Sequence, residues 1–108
     1  MSTLYIPDGV AEIGDWAFRC CFELLSVTIP DSVSAIGEYA FEDCDSLSSV
    51  SIGGGISEIG EHAFGKCEKL KSVSIKKPKA YVQSMANYKW YLPSGCVITC
   101  TDGTITIP

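Results

Sequence analysis

The chain has 108 residues, of which 46% are hydrophobic, and it carries a formal net charge of −5. This length is that of one domain, and the hydrophobic fraction is sufficient for a buried core. No apolar run approaches the roughly 20 residues of a membrane-spanning helix, and the first residues lack the basic and apolar regions of a secretion signal. The sequence therefore predicts a soluble domain without membrane insertion, cytoplasmic as it stands.

The charge is distributed unevenly along the chain. Residues 1–65 carry eleven acidic side chains and one basic one, whereas residues 66–108 carry seven lysines and two acids. Nucleic-acid binding requires a basic face, so the acidic part is not expected to contact nucleic acid directly. The asymmetry is compatible with a basic protein partner, an acidic partner at the other end, or copies of the chain bound head to tail.

A pattern 23 residues long occurs three times, and each copy contains Ile-Gly-x-x-Ala-Phe followed by Cys, Leu and Val. Such a strict period is typical of a solenoid, in which stacked repeats bury one continuous core. The recurring positions include Gly14, Gly37 and Gly60; Phe18, Phe41 and Phe64; and Cys21, Cys44 and Cys67.

Each repeat contains one segment in which apolar and polar residues alternate, as in Val50-Ser51-Ile52. This alternation predicts a strand with one buried face. We expect parallel strands about 4.8 Å apart near residues 1–6, 24–29, 47–52 and 70–75. In the first of them, Met1, Leu4 and Ile6 occupy the apolar columns.

A Pro-Asp turn ends the first two strands and a triple-glycine turn ends the third, and the chain then returns through Val-x-x-Ile-Gly-x-x-Ala-Phe or its Ile-initiated equivalent. The apolar spacing of this return predicts a short helix from about Asp15 to Arg19 and at the matching positions of the next copies. The phenylalanines of the three copies should stack as a buried spine.

The period ends at Ile75, so the array is predicted to span residues 1–75 and a C-terminal cap residues 76–108. In the cap we expect a helix within residues 79–92, which include Tyr81 and Tyr88, and a hairpin of strands 96–100 and 104–107. The strand near residues 1–6 has no cap before it. This exposed strand edge predicts either a homodimer through the edge or a longer parent protein.

These motifs resemble the BspA-type leucine-rich repeat over residues 1–75, although Gly53 replaces the proline in the third copy. The resemblance implies a short right-handed α/β repeat solenoid with a parallel sheet on the concave side and short helical turns on the convex side. It also implies a bacterial protein-binding module, often one that attaches to host proteins or cells. Display on the cell surface would require a longer secreted parent, and the short chain is also compatible with a protein borne by a phage or mobile element of a gut bacterium.

The sequence offers little catalytic chemistry. His62 is its one histidine and shares a column with Trp16 and Tyr39, which is typical of a half-exposed spacer. Without a second histidine no nucleophile triad can be drawn, and Gly53-Gly54-Gly55 is interpreted as a turn. The repeated cysteines should be buried, and Cys20 should be the most exposed and reactive thiol. We predict no enzyme, cofactor or metal site.

Two surfaces are candidates for binding a protein partner. The concave face should present small polar residues without large aromatic anchors: Leu25, Ser26, Thr28, Ser48, Ser49, Ser51, Lys71, Ser72 and Ser74. The convex side should present stacked carboxylates, interpreted either as a solvated face or as a site for a basic protein: Glu12, Asp15, Glu38, Glu58 and Glu61. The first surface favours an adhesion or host-binding module, and the second favours an intracellular inhibitor or decoy of a nucleic-acid-handling host protein.

Overall fold

The computed structural model describes residues 2–85 and 90–108, and its repeats stack as the turns of a solenoid. Met1 and Tyr88, for which the sequence made predictions, lie outside the described residues. The elements in chain order are β1 (Ser2–Tyr5), β2 (Glu12–Ile13), β3 (Leu24–Ile29), β4 (Ala35–Ile36), β5 (Ser49–Ile52), β6 (Glu58–Ile59), β7 (Ser72–Ile75), α1 (Lys79–Ser84), β8 (Val97–Cys100) and β9 (Gly103–Thr106).

The main sheet has six strands in the order β1-β3-β5-β7-β8-β9. The first five are parallel, and β9 returns antiparallel to β8. The predicted solenoid with a parallel sheet is confirmed, and β8 extends that sheet by one more parallel strand than the period indicated. Equivalent residues of successive repeats pair directly, for example Val27 with Val50 and Val50 with Val73, so that their side chains form continuous buried columns.

A second, three-stranded parallel sheet of β2, β4 and β6 lies on the return path. The sequence predicted only a brief extended piece here. A glycine follows each of these strands, and at Gly37 and Gly60 the preceding repeat packs directly against the glycine backbone. A Cβ on Gly37 would lie 2.5 Å from the backbone nitrogen of Asp15, which leaves no space for a side chain.

The predicted helices at residues 15–19 and their equivalents are wrong, because these segments form consecutive turns. Trp16 and Cys20 adopt φ of 63° each, and the equivalent residues of the next two repeats are also left-handed. The N–H of Ala17 donates within its own repeat to Gly14 O at 3.2 Å, whereas the N–H of Phe18 donates to Ala40 O of the next repeat at 2.8 Å. In a helix, all of these N–H groups would donate within their own segment. Here alternate N–H groups donate to the following repeat and so link neighbouring repeats.

The phenylalanine spine is confirmed. The ring centroids of Phe18 and Phe41 are 5.2 Å apart and those of Phe41 and Phe64 are 5.6 Å apart, with nearly parallel planes. Phe41 and Phe64 are fully buried, whereas Phe18 is only partly buried because no described repeat precedes it.

At the other end of the array the core is covered by the segment after β7. Val82 of α1, Trp90, Leu92 and Ile98 are buried there. The helix is six residues long and thus covers a small part of the predicted 79–92 range. In residues 2–85 and 90–108 no helix is long and apolar enough to cross a bilayer.

Candidate functional site

The outward side chains of the main sheet form the surface predicted to be concave, which we call the concave face. Strand register aligns Ser26, Ser49 and Ser72 in one row. A second aligned row consists of Thr28, Ser51 and Ser74. The first row continues onto β1, where the hydroxyl of Ser26 donates to Thr3 Oγ1 at 3.1 Å. Six predicted positions are therefore brought together as two straight rows of hydroxyls, which offer both donors and acceptors.

The other three predicted concave residues, Leu25, Ser48 and Lys71, line a groove of about 510 Å³ beside the starts of the strands. The pairing of β1 with β3 skips Leu25, and the hydroxyl of Ser48 donates to Leu25 O at 3.2 Å. Sequence reasoning missed other members of the groove: Ser46, Glu68, Lys69, Leu70, Ser94, Gly95 and Cys96. The column pattern could have indicated Ser46 and Lys69. Residues 94–96 lie outside the period, so no repeat position marked them.

Four of the five acidic residues predicted for the convex side line one groove. Glu12, Asp15, Glu38 and Glu58 line a second groove, of about 380 Å³, beside the small sheet. The carboxylate of Asp15 accepts the backbone N–H of Glu38 at 2.8 Å, so it contributes to repeat stacking as well as to surface charge. Glu61 is not among the groove's lining residues, and its carboxylate lies 3.4 Å from Nε2 of His62.

A second aromatic stack runs along the outer surface. Trp16 and Tyr39 have ring centroids 4.4 Å apart, Tyr39 and His62 4.9 Å, and His62 and Tyr91 3.8 Å. We call these four residues the outer ladder. The sequence placed His62 beside Trp16 and Tyr39 but did not predict that their rings stack. It did not place Tyr91 in the same column, because Tyr91 follows the end of the period.

The six cysteines are free thiols. Cys44 and Cys67 are buried, and their thiols donate to Phe18 O at 3.2 Å and Phe41 O at 3.0 Å. The neighbouring Cys44 side chain, together with burial, raises the pKa of Cys67 well above its usual range. Cys20 and Cys21 are partly exposed, and burial raises the pKa of Cys21. Within the described part of the chain, no group of three His, Cys, Asp or Glu side chains could hold a metal ion.

Comparison with solved structures finds similar repeat proteins. The leucine-rich repeat protein of T. pallidum has a similar structure, with a TM-score of 0.63 and 27% identity over 91% of this chain. A leucine-rich cell surface protein of Faecalibacterium prausnitzii A2-165 has a TM-score of 0.49 and 30% identity over 92% of this chain. The chain spans 51% of the first protein and 32% of the second. No curated protein sequence matches it.

The family is identified from the amino-acid sequence. The BspA type leucine-rich repeat region matches residues 1–94, in six copies. These residues include every strand from β1 to β7, both polar rows and both grooves apart from residues 95 and 96. The chain belongs to the BspA-type leucine-rich repeat family.

Proposed function

We propose that the chain is a protein-binding module that uses its concave face, in adhesion or in attachment to a host protein. Its family and fold are typical of protein interaction rather than catalysis. The observation that carries the proposal is the alignment of the two hydroxyl rows across β3, β5 and β7 beside the 510 Å³ groove. Together they present a continuous polar surface built on rigid strands, which is the kind of support that a recognition surface needs.

The chemistry of this surface indicates what its partner would contribute. Serine and threonine hydroxyls can donate to and accept from the main chain of a loop or an extended segment. Lys69 and Lys71 line the groove and outnumber its one carboxylate, that of Glu68. An acidic or hydroxyl-rich segment of a host protein fits this combination.

A bulky charge in the middle of the rows tests the proposal. Ser51→Arg should abolish capture of the partner from host extracellular proteins, because its side chain would stand on the half-buried strand surface. Gln83→Arg adds the same charge on the exposed side of α1 and serves as the matched control. The measurement is affinity capture with quantitative mass spectrometry. Equal recovery of a stoichiometric partner by both variants would contradict concave-face binding.

A second candidate function is favoured by the 380 Å³ groove. We infer that its four carboxylates would bind a basic protein segment, as in an intracellular and phage-encoded inhibitor of a nucleic-acid-handling host protein. The support is geometric: Glu12, Glu38 and Glu58 belong to three repeats and yet line one groove. Such clustering of like charge attracts a cationic partner and speeds its association.

Charge reversal separates the two candidates. The double variant Glu12→Lys, Glu58→Lys should weaken capture of a basic bacterial protein by about tenfold or more, and the wild-type interaction should weaken as salt is raised. Glu23→Lys, together with Asp45→Lys, makes the same charge change at exposed sites outside this groove. If both double variants lose binding equally, net charge rather than the groove attracts the partner.

A further inference from the structure

The amino-terminal end of the solenoid exposes apolar side chains. Among the described residues, four large hydrophobic side chains are exposed, and three of them belong to the first repeat: Tyr5 (71%), Trp16 (50%) and Phe22 (54%). Two grooves of about 650 and 300 Å³ open at this end, and Leu4 and Phe18 line both. Exposed apolar surface concentrated in this way is typical of an interaction site.

The main sheet has an unpaired edge at each end, β1 at one and β9 at the other. One apolar column runs through all six strands: Leu4, Val27, Val50, Val73, Ile98 and Ile105. Its four central members are buried, whereas Leu4 and Ile105 are only partly buried. Each end of the sheet therefore offers the same two features, a free strand edge and a half-covered aliphatic side chain.

The outer ladder also ends in an exposed ring on both sides. Trp16 begins it and Tyr91, which is 65% exposed, completes it. Each of these rings is stacked on one ladder neighbour, and each lies in a terminal turn of the solenoid.

The two ends differ in the sign of their charge. Residues 2–24 contain four carboxylates and Arg19, and the guanidinium of Arg19 already donates to Glu42 Oε1 at 3.0 Å. Residues 76–108 contain four lysines and one aspartate. Two like ends would therefore repel each other, whereas opposite ends attract.

We propose that this chain binds a second copy of itself head to tail, with β9 of one copy pairing antiparallel with β1 of the next. In this arrangement Ile105 covers Leu4. The acidic first repeat faces the lysines of the other copy. The two contacting surfaces differ, so the contact is heterologous. Each dimer keeps an unpaired β1 at one end and an unpaired β9 at the other. Larger oligomers should therefore form as the protein concentration rises. The proposal is independent of the concave-face function.

Proline substitution can block each edge separately. The N–H groups of Ser2 and Ile6 donate inward, to Glu23 O and Thr28 O, so those of Thr3 and Tyr5 point to the free edge. On β9 the N–H of Ile107 donates inward to Cys96 O, and the alternation directs the N–H of Thr104 outward. Thr3→Pro and Thr104→Pro each remove an outward donor. Thr3→Ala and Thr104→Ala are matched controls, because they lose the same hydroxyl and keep the N–H.

The experiment is sedimentation velocity of the whole 108-residue chain over a range of concentrations. Wild type and both alanine variants should form a concentration-dependent series of oligomers, and each proline variant alone should associate at least roughly tenfold more weakly. An equimolar mixture of the two proline variants should form dimers and nothing larger. The intact β9 edge of Thr3→Pro pairs with the intact β1 edge of Thr104→Pro, and both outer edges of that dimer are blocked.

Two results would overturn the proposal. One is a wild-type chain that stays monomeric at every concentration. The other is a Thr104→Pro variant that dimerises alone while Thr3→Pro does not, since that pattern identifies a head-to-head homodimer through β1. Salt provides a test that needs no variant: the Debye length falls from about 30 Å at 0.01 M to about 3 Å at 1 M. Head-to-tail association should weaken over this range, and strengthening would also contradict it.

Discussion

Phe41 is the residue whose side chain contributes most to the phenylalanine spine, because it is fully buried and stacks on a ring at each face. Phe41→Ala should lower the free energy of unfolding by about 3–5 kcal/mol, from lost transfer energy and the cavity that remains. Phe18→Ala is the control, since Phe18 has one ring neighbour and is partly exposed. Urea unfolding measures both changes. A larger loss of unfolding free energy in Phe18→Ala than in Phe41→Ala would contradict the central contribution of Phe41 to the spine.

Thiol reactivity should follow position in the turn. Alkylation requires the thiolate, and the neighbouring Cys44 side chain and burial both raise the pKa of Cys67. We expect iodoacetamide to modify partly exposed Cys20 first in the folded protein and Cys67 only after unfolding. Peptide mass spectrometry over a time course gives the order. Equal rates for these two cysteines without denaturant would be incompatible with the buried column.

At the scale of elements, the triple-glycine turn after β5 packs against the preceding Pro-Asp turn. The N–H of Gly54 donates to Asp31 Oδ1 at 2.7 Å. A Cβ on Gly55 would overlap the Asp31 carbonyl, whereas a Cβ on Gly54 would meet Lys76 O at 3.5 Å, an ordinary contact. Gly55→Ala should therefore destabilise the protein by about 1–3 kcal/mol. Gly54→Ala should change stability by less than about 1 kcal/mol. Thermal unfolding would compare them, and equal melting temperatures would refute the close packing.

The elements also show which features the sequence could predict. The strands and buried columns were predictable because alternation and the 23-residue period both place Val50 and Ile52 in the core. The conformation of the turns was not predictable, because the apolar spacing around Ala-Phe also fits a helix. In addition, Trp16 and Cys20 have left-handed backbones although neither residue type favours that conformation. Their geometry depends on hydrogen bonds to the next repeat, which local sequence does not encode.

The candidate binding surfaces were likewise predictable only in part. The hydroxyl rows were predictable because they use the other face of the same alternating strands. The two grooves depend on how separate segments meet, and Ser94 reaches the concave groove only through the fold of the segment after β7.

At the scale of the whole molecule, stability should decrease toward the amino-terminal end. A terminal repeat has one neighbour and a central repeat has two, so opening the first repeat costs less free energy. The amides of Phe18 and Phe41 make equivalent bonds of 2.8 Å to the following repeat. At low protein concentration, hydrogen exchange of Phe18 should nevertheless be faster than that of Phe41. Equal rates would indicate that the array opens in one cooperative step.

The opposite directions of the hydrogen bonds in the turns and in the small sheet have an electrostatic consequence. In the turns, the N–H of Phe18 points toward the following repeat; in the small sheet, the N–H of Gly37 points back to Ile13 O. The peptide dipoles of these two ladders therefore oppose each other along the solenoid axis, unlike the aligned dipoles of an α-helix. Side chains rather than the backbone then set the potential at each end, so exchanging a few exposed charges would reverse the polarity of the molecule without changing its fold.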